Sequence, residues 1–476
     1  MIGQKLTNIL QSLDPEEFKR LKRALSSPYF ATNTRLIVFY DYLKKYYPDF
    51  EEGKLLKEKL YKKLYPGKPH NDGVLRVIVR EFTSVVEDFI MLERLRSDKH
   101  LRKKTLVKEY GERNLYEYFK KGTEELVQRN DDSFERDMEF YSERIGLYQD
   151  YCFHPMANTY DADDDSLEQL MDSLDAYFVL AKYRFVQVLR NRNTIFKKKA
   201  EYRFFEMVRD VDDVFFNEHK LVALYEVLNK LHSTNDERCF YDLKSIFFPV
   251  IGKVKRTDCR IIFYMGLNFC VRQTNLGNAE YFSEQFEWYE KGLENNLLIE
   301  NNKMSDATFN NVVNAACYKK EFVWAEKFIE KYNRYLDQTV REDALNYSLA
   351  VINMQKGDFI QALQIFINHS YDISYQLRVR TGIMRSAFEQ SLKDVNYFFI
   401  LKSYADSYKK YLQRNTIYSE KKIAQNKAFI RVTEKLARRI LNKERKENIK
   451  VWFEKELKKE VHVVSKSWLK EKVENL

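Results

Sequence analysis

The sequence predicts an all-α protein, with an N-terminal helical bundle followed by stacked helical hairpins. Glycine (13) and proline (7) are scarce among the 476 residues, whereas turn-rich β folds need many positive-φ or fixed-φ positions. Apolar residues recur at helical spacing, as in Phe134, Met138, Tyr141, Ile145 and Tyr148. Hydrophobic residues make up 44% and charged residues 32% of the chain, which provides a core and argues against global disorder.

Helix start and stop signals organise the N-terminal part. The run Asp14–Glu17 combines a capping carboxylate, a proline at the first helical position and an acidic first turn. Pro28 ends this helix, because the residue before a proline avoids the α region. We therefore expect a bundle over residues 1–151, whose last helix begins near Asp132. An irregular acidic linker is expected over residues 152–165.

A repeat is visible in the second half of the chain, where small residues recur in register. The segment LNYSLAVINMQKGDFIQALQIF places Ala350 before Gly357, then Ala362 and Phe366. Two alanines allow the helices of one hairpin to pack closely, while the glycine serves the turn between them. Ala325, 37 residues upstream of Ala362, occupies the corresponding position of an earlier hairpin. The pattern resembles tetratricopeptide (TPR) repeats, whose period is about 34 residues.

The resemblance to TPR repeats implies an α-solenoid over residues 166–476, with C-terminal helices that cap it. A plain helical bundle with one chance match is the alternative. The whole chain also resembles an uncharacterised helical-repeat family of Bacteroidota, in the segments Ser27–Phe30, Leu174–Phe178 and Phe322–Tyr332. This second resemblance implies a helical fold and no particular biochemical activity.

Motifs for several enzyme classes are missing from the sequence. No two glycines lie closer than six residues, which removes Gly-x-Gly dinucleotide loops, Walker phosphate loops and Gly-x-Ser-x-Gly elbows. The seven histidines form no His-Glu-x-x-His or Glu-x-x-His pair, and no Cys-x-x-Cys occurs. We expect no catalytic residue, no metal and no cofactor. A cysteine and a histidine that meet only in the folded chain, as a nucleophilic pair, stay open as an alternative.

The expected location is the cytoplasm. Five widely separated cysteines fit a reducing compartment better than a disulfide framework. The first residues lack the apolar core and cleavage site of a signal peptide. The longest apolar run, Ile261–Val271, reaches about half a membrane span and contains Asn268, so no membrane span is expected.

Positive charge is localised in this chain. Residues 182–209 hold nine bases and two acids, and residues 94–121 hold ten bases and four acids. Such clusters, interleaved with aromatic residues, could bind nucleic-acid phosphates or an acidic partner; a solvated helix face is the simpler interpretation. The candidate binding residues are Arg102, Lys103, Lys104, Arg190, Arg192, Lys197, Lys198, Lys199 and Arg203.

The sequence therefore predicts a non-enzymatic interaction or scaffold protein that binds a protein or peptide partner on its repeat surface. The alternative is a nucleic-acid-binding protein that uses the basic clusters. A helical enzyme with an unfamiliar site is a third hypothesis.

Overall fold

The computed structural model describes residues 3–51, 55–128, 136–157, 164–196, 201–209, 213–459 and 463–476. Helices account for 77% of the described residues, and these ranges contain 23 α-helices and no β-strand. The prediction of an all-α fold is confirmed. Within the same ranges, no helix combines the length and hydropathy that a membrane span requires.

The chain folds into two compact units. The first comprises Met1–Arg129 with Gly146–Leu167, and the second comprises Asn130–Ile145 with Glu168–Leu476. Part of the linker expected over residues 152–165, namely 158–163, lies outside the described residues. The first nine helices are α1 (Gln4–Ser12), α2 (Pro15–Leu25), α3 (Arg35–Leu43), α4 (Lys57–Leu64), α5 (Asp72–Ser97), α6 (Lys99–Glu112), α7 (Tyr116–Gln128), α8 (Met138–Cys152) and α9 (Ser166–Phe196).

Helix α2 begins with the predicted capping residues. The Asp14 carboxylate accepts a hydrogen bond from the Glu17 backbone N–H at 2.7 Å, and the Glu17 carboxylate accepts one from the Asp14 N–H at 2.9 Å. These reciprocal bonds satisfy two of the donors that a helix start leaves free. Helices α1 to α5 share one apolar core, in which the Phe39 and Phe82 rings lie 4.7 Å apart.

Helices α6 and α7 form a hairpin that the sequence did not predict, since no clear helix was expected between α5 and Asp132. A Cβ atom at Gly122 of α7 would lie 2.4 Å from Val107 of α6, so the glycine allows this close approach. Val107 is the one buried residue of α6, and a helix with one buried position gives little apolar periodicity. The predicted helix start near Asp132 lies outside the described residues.

The second unit stacks helical hairpins. Each odd-numbered helix from α11 to α21 packs against the next even-numbered one, and neighbouring hairpins are also in contact: α15 packs on α17, α17 on α19 and α19 on α21. Its helices from residue 213 onward are α10 (Asp213–Glu218), α11 (Lys220–Thr234), α12 (Glu237–Phe247), α13 (Arg256–Leu276), α14 (Tyr281–Glu294), α15 (Asp306–Tyr318), α16 (Phe322–Tyr332), α17 (Gln338–Lys356), α18 (Phe359–Asn368), α19 (Gln376–Ser391), α20 (Asn396–Arg414), α21 (Glu420–Leu441), α22 (Lys446–Lys459) and α23 (Lys466–Glu474).

The same turn recurs between the helices of several hairpins. Gly357 ends α17 in the left-handed region with φ 86°, and the next N–H, from Asp358, bonds to the Asn353 carbonyl at 3.0 Å. Gly277 ends α13 in the same way with φ 98°. Lys320 follows α15 with φ 63°, although a Cβ disfavours this conformation. The turn therefore repeats with glycine at two positions and lysine at another.

Small residues lie where helices of the second unit approach closely. Ala325, Ala350 and Ala362 are fully buried, at 0% exposure. Phe366 of α18 packs against Gly382 of α19, where an added Cβ would lie 2.5 Å from the ring. This contact joins one hairpin to the next, so it fixes the stacking of hairpins and not only the packing within one of them.

Candidate functional site

The basic residues Arg102, Lys103 and Lys104 lie on α6 in the first unit. Arg102 and Lys104 are exposed, and Lys103 forms an ion pair with Glu125 of α7. Lys103 is therefore engaged within the hairpin.

The second basic group belongs to the second unit. The Arg190 guanidinium donates to Asn229 Oδ1 at 2.6 Å and lies over the Phe205 ring at 5.0 Å. Burial lowers the pKa of Arg190, and these contacts give it a structural role. Arg192 and Arg203 are exposed. The remaining members, Lys197, Lys198 and Lys199, lie outside the described residues.

A cavity of about 1050 Å³ lies between the stacked hairpins and helix α23 of the second unit, and we call it the inner cavity. Most of its lining comes from the first helices of successive hairpins, α13, α15, α17, α19 and α21, and from α23. Its volume is at the upper end of ordinary ligand pockets, which span roughly 300–1000 Å³. The stacking of hairpins thus creates a space that no single hairpin could enclose.

The C-terminal helix α23 forms one wall of the inner cavity. Trp468 of α23 packs against Phe388 of α19, with ring centroids 5.2 Å apart, and its indole N–H donates to Glu389 Oε1 at 2.9 Å. Helix α23 also packs against α13, and a Cβ atom added at Gly277, just after α13, would lie 3.4 Å from Lys466 Cγ. The chain therefore returns from its last hairpin to an earlier one.

Arg385 is the most unusual side chain of the inner cavity. Its guanidinium lies over the Trp468 ring at 5.2 Å, and its buried Nε has no hydrogen-bond partner among the described residues. Burial lowers the pKa of Arg385, while nearby Glu389 and Glu471 partly oppose that shift. An unpaired buried donor of this kind costs free energy until an acceptor reaches it.

Two lysines of α23 add to the positive charge of this wall. Burial and the neighbouring Lys470 both lower the pKa of Lys466, and both lysines line the inner cavity. Glu280, Glu471 and Glu474 also line it, so the lining carries charges of both signs. A bound anion beside Lys466 would reduce the repulsion between the two ammonium groups.

Carboxamides supply further hydrogen-bonding groups to the inner cavity. Gln355 and Gln425 line it and make no side-chain hydrogen bond within the described part of the chain. A carboxamide offers both donors and an acceptor, which suits the N–H and C=O groups of a peptide. Asn311 and Asn314 line the same space.

A second polar cluster lies elsewhere in the second unit. Asp172 of α9, Glu218 at the end of α10 and His219 bring one ligand atom each within 4.8 Å of one another. The His219 side chain is 2% exposed, and its Nδ1 lies 2.7 Å from the Tyr141 hydroxyl. Sequence reasoning missed this cluster because Asp172 and His219 are far apart in the chain.

Three of the buried cysteines carry thiols whose pKa is raised. Burial raises the pKa of Cys259 to about 11 and that of Cys317 to about 12. The pKa of Cys270 is raised for the same reason. A thiol is nucleophilic as its thiolate, so these three side chains are poor nucleophiles near neutral pH.

Fold and cavity together define an all-α protein of stacked helical hairpins. Comparison of the chain with family models, curated proteins and solved structures found no match. The resemblances to TPR repeats and to a Bacteroidota family therefore rest on the sequence motifs alone.

Proposed function

We propose that this chain is a non-enzymatic interaction protein that binds a peptide segment of a partner protein in the inner cavity. The observation that carries the proposal is the Arg385 guanidinium, which lines a polar cavity and makes no ion pair within the described residues. A carboxylate of the partner segment would pair with Arg385, with Lys466 and Lys470 close by. Guanidinium groups bind carboxylates with two parallel hydrogen bonds, which gives both affinity and orientation.

The carboxamides support a peptide as the ligand. Gln355 and Gln425 provide donors and acceptors spread over two hairpins, so an extended segment could bond to both while its carboxylate reaches Arg385. Repeat proteins commonly bind extended segments along an inner surface built from many repeats.

Helix α23 offers an intramolecular precedent for binding at this surface. Its Trp468 inserts against Phe388 and lies 6.2 Å from Phe429 of α21. The surface therefore accommodates an aromatic anchor beside charged groups, a combination that is frequent at protein interfaces.

Nucleic-acid binding is the second candidate function. The exposure of Arg102, Lys104, Arg192 and Arg203 favours it, because exposed cations can release counterions from phosphates. The internal contacts of Lys103 and Arg190 remove two of the predicted ligands. A steep loss of RNA or DNA binding with added salt is the result expected for this candidate, and little dependence on salt would exclude it.

Selection from a displayed random-peptide library tests the first candidate. The full chain should enrich peptides that carry a carboxylate, and Arg385→Gln should weaken the selected peptides at least about tenfold, the effect of losing one charge-assisted pair. Arg378→Gln is the matched control, since Arg378 is an exposed arginine on the same helix that does not line the cavity. Equal loss in the two variants, equal retention in both, or no enrichment would refute the proposal.

A further inference from the structure

The cluster of Asp172, Glu218 and His219 joins three elements of the second unit. Asp172 projects from α9, Glu218 ends α10, and His219 precedes α11. Asp172 and Glu218 are exposed, whereas His219 is buried. The cluster therefore has one side fixed in the protein and one side open to solvent, an arrangement through which a small ion could enter.

The geometry between His219 and Asp172 fits a shared ion better than a hydrogen bond. His219 Nε2 lies 3.5 Å from Asp172 Oδ1, beyond the usual N–H···O range of about 2.7–3.2 Å. This buried Nε2 has no hydrogen-bond partner among the described residues. Two ligand atoms of a tetrahedral zinc ion, each about 2.1 Å from the metal, are separated by about 3.4 Å. The observed distance is close to that value.

Neighbouring groups hold the imidazole in place. The Tyr141 hydroxyl lies 2.7 Å from Nδ1, and the Phe215 ring lies 4.2 Å from the imidazole. When Nδ1–H donates to the Tyr141 oxygen, Nε2 presents its lone pair toward the two carboxylates. Metal-binding histidines usually donate their other ring N–H in this way, which fixes the tautomer and the ring orientation.

Electrostatics favour a cation at this position. A buried imidazole binds metals in its neutral form. Asp172 and Glu218 contribute two negative charges, and Arg136 is a nearby positive charge. One divalent cation would neutralise the two carboxylates.

We propose that His219 Nε2, Asp172 and Glu218 bind one divalent transition-metal ion of the Zn²⁺ class, with water completing its coordination. A nitrogen ligand with two carboxylates suits zinc and its neighbours, whereas Ca²⁺ and Mg²⁺ take oxygen ligands almost exclusively. The bound ion would connect α9 to the junction of α10 and α11. This site is separate from the inner cavity and does not depend on the proposed function.

Isothermal titration of the chelator-treated full chain with ZnCl₂ tests the site. One saturable Zn²⁺ per chain is expected, and Asp172→Asn and Glu218→Gln should each weaken it at least about tenfold, since a lost ligand removes one metal bond. Asp175→Asn is the matched control, because Asp175 is an exposed acid one turn further along α9. Both test substitutions alter exposed side chains, so the fold should persist; tryptophan fluorescence checks this.

Two additional measurements of the thermal midpoint, with Zn²⁺ and with Ca²⁺, test the same site. Zn²⁺ should raise the thermal midpoint of the wild-type chain and of Asp175→Asn, but not of His219→Gln, because a ligand stabilises the state that binds it. Ca²⁺ at the same concentration should have no effect. The proposal is overturned if no 1:1 Zn²⁺ binding is found, or if Asp172→Asn, Glu218→Gln and Asp175→Asn bind Zn²⁺ equally well.

Discussion

The substitution Gly382→Ala tests the contact that joins neighbouring hairpins. The added Cβ would lie 2.5 Å from Phe366 Cζ and 2.7 Å from Phe366 Cε2, whereas ordinary contact begins at 3.4 Å. Phe366 is 2% exposed, so the ring cannot move into solvent. Either the ring or the helix must shift.

The expected loss of stability follows from two opposing effects. Overpacking a dense core costs about 1–3 kcal/mol, and two ring atoms inside 3.0 Å place this site near the upper end. Alanine gains about 1 kcal/mol over glycine in a helix. We therefore expect Gly382→Ala to lower the free energy of unfolding of the second unit by about 2 kcal/mol.

Urea unfolding followed by tryptophan fluorescence measures this loss in the relevant unit. The four tryptophans, Trp288, Trp324, Trp452 and Trp468, all belong to the second unit. Adding Phe366→Leu removes the offending ring atoms, so the double variant should recover at least about 1 kcal/mol relative to additivity. Stability equal to or above wild type for Gly382→Ala would refute the close-approach argument.

A control variant separates the effect of helix propensity from the effect of packing. Gly146 lies within α8, and an added Cβ there would meet no atom within 4 Å. Gly146→Ala should therefore be neutral or stabilising by up to about 1 kcal/mol, as measured by circular dichroism.

Three other predictions concern individual residues of the second unit. Lys320→Gly should stabilise the second unit by about 1 kcal/mol in urea unfolding, because Lys320 has φ 63°; a destabilised variant would contradict this. Asp258→Asn should cost about 3 kcal/mol in the same assay, because it leaves Arg184, 3.1 Å from the buried carboxylate, without its counter-charge; a loss below about 1 kcal/mol would contradict it. Burial lowers the pKa of His219 and of His232 below 6.5, so unfolded chains take up protons first as pH falls. The stability that these two neutral histidines contribute is present above pH 6.5 and is lost as the pH falls through their lowered pKa values. A thermal midpoint that decreases over this range would show the loss, and a midpoint independent of pH would contradict it.

The fold follows from local signals where those signals are strong. The capping residues of α2 and the turn glycine at Gly357 are visible in sequence because only a few residue types suit those positions. Lys320 occupies the same kind of turn without a signal, since a lysine there gives no indication of positive φ. Helix α6 was missed because its single buried residue, Val107, produces no apolar stripe.

The candidate sites depend on distances that no local pattern contains. The sequence draws attention to runs of lysine and arginine, whereas Arg385 stands apart from such runs. It meets Trp468 only because α23 returns to the earlier hairpins. Asp172 and His219 approach each other because α9 and α11 pack in one core. Basic runs are visible in a linear sequence, but a lone arginine facing a cavity is not.

Site-specific photo-crosslinking tests the central claim, that a partner segment occupies the inner cavity. Benzoylphenylalanine replaces either Gln425, which lines the cavity, or Lys327, which is exposed on α16 and does not line it. The account predicts that a library-selected peptide crosslinks to the chain from position 425 and not from position 327. Crosslinking from position 327 alone, or equally from both positions, would contradict it.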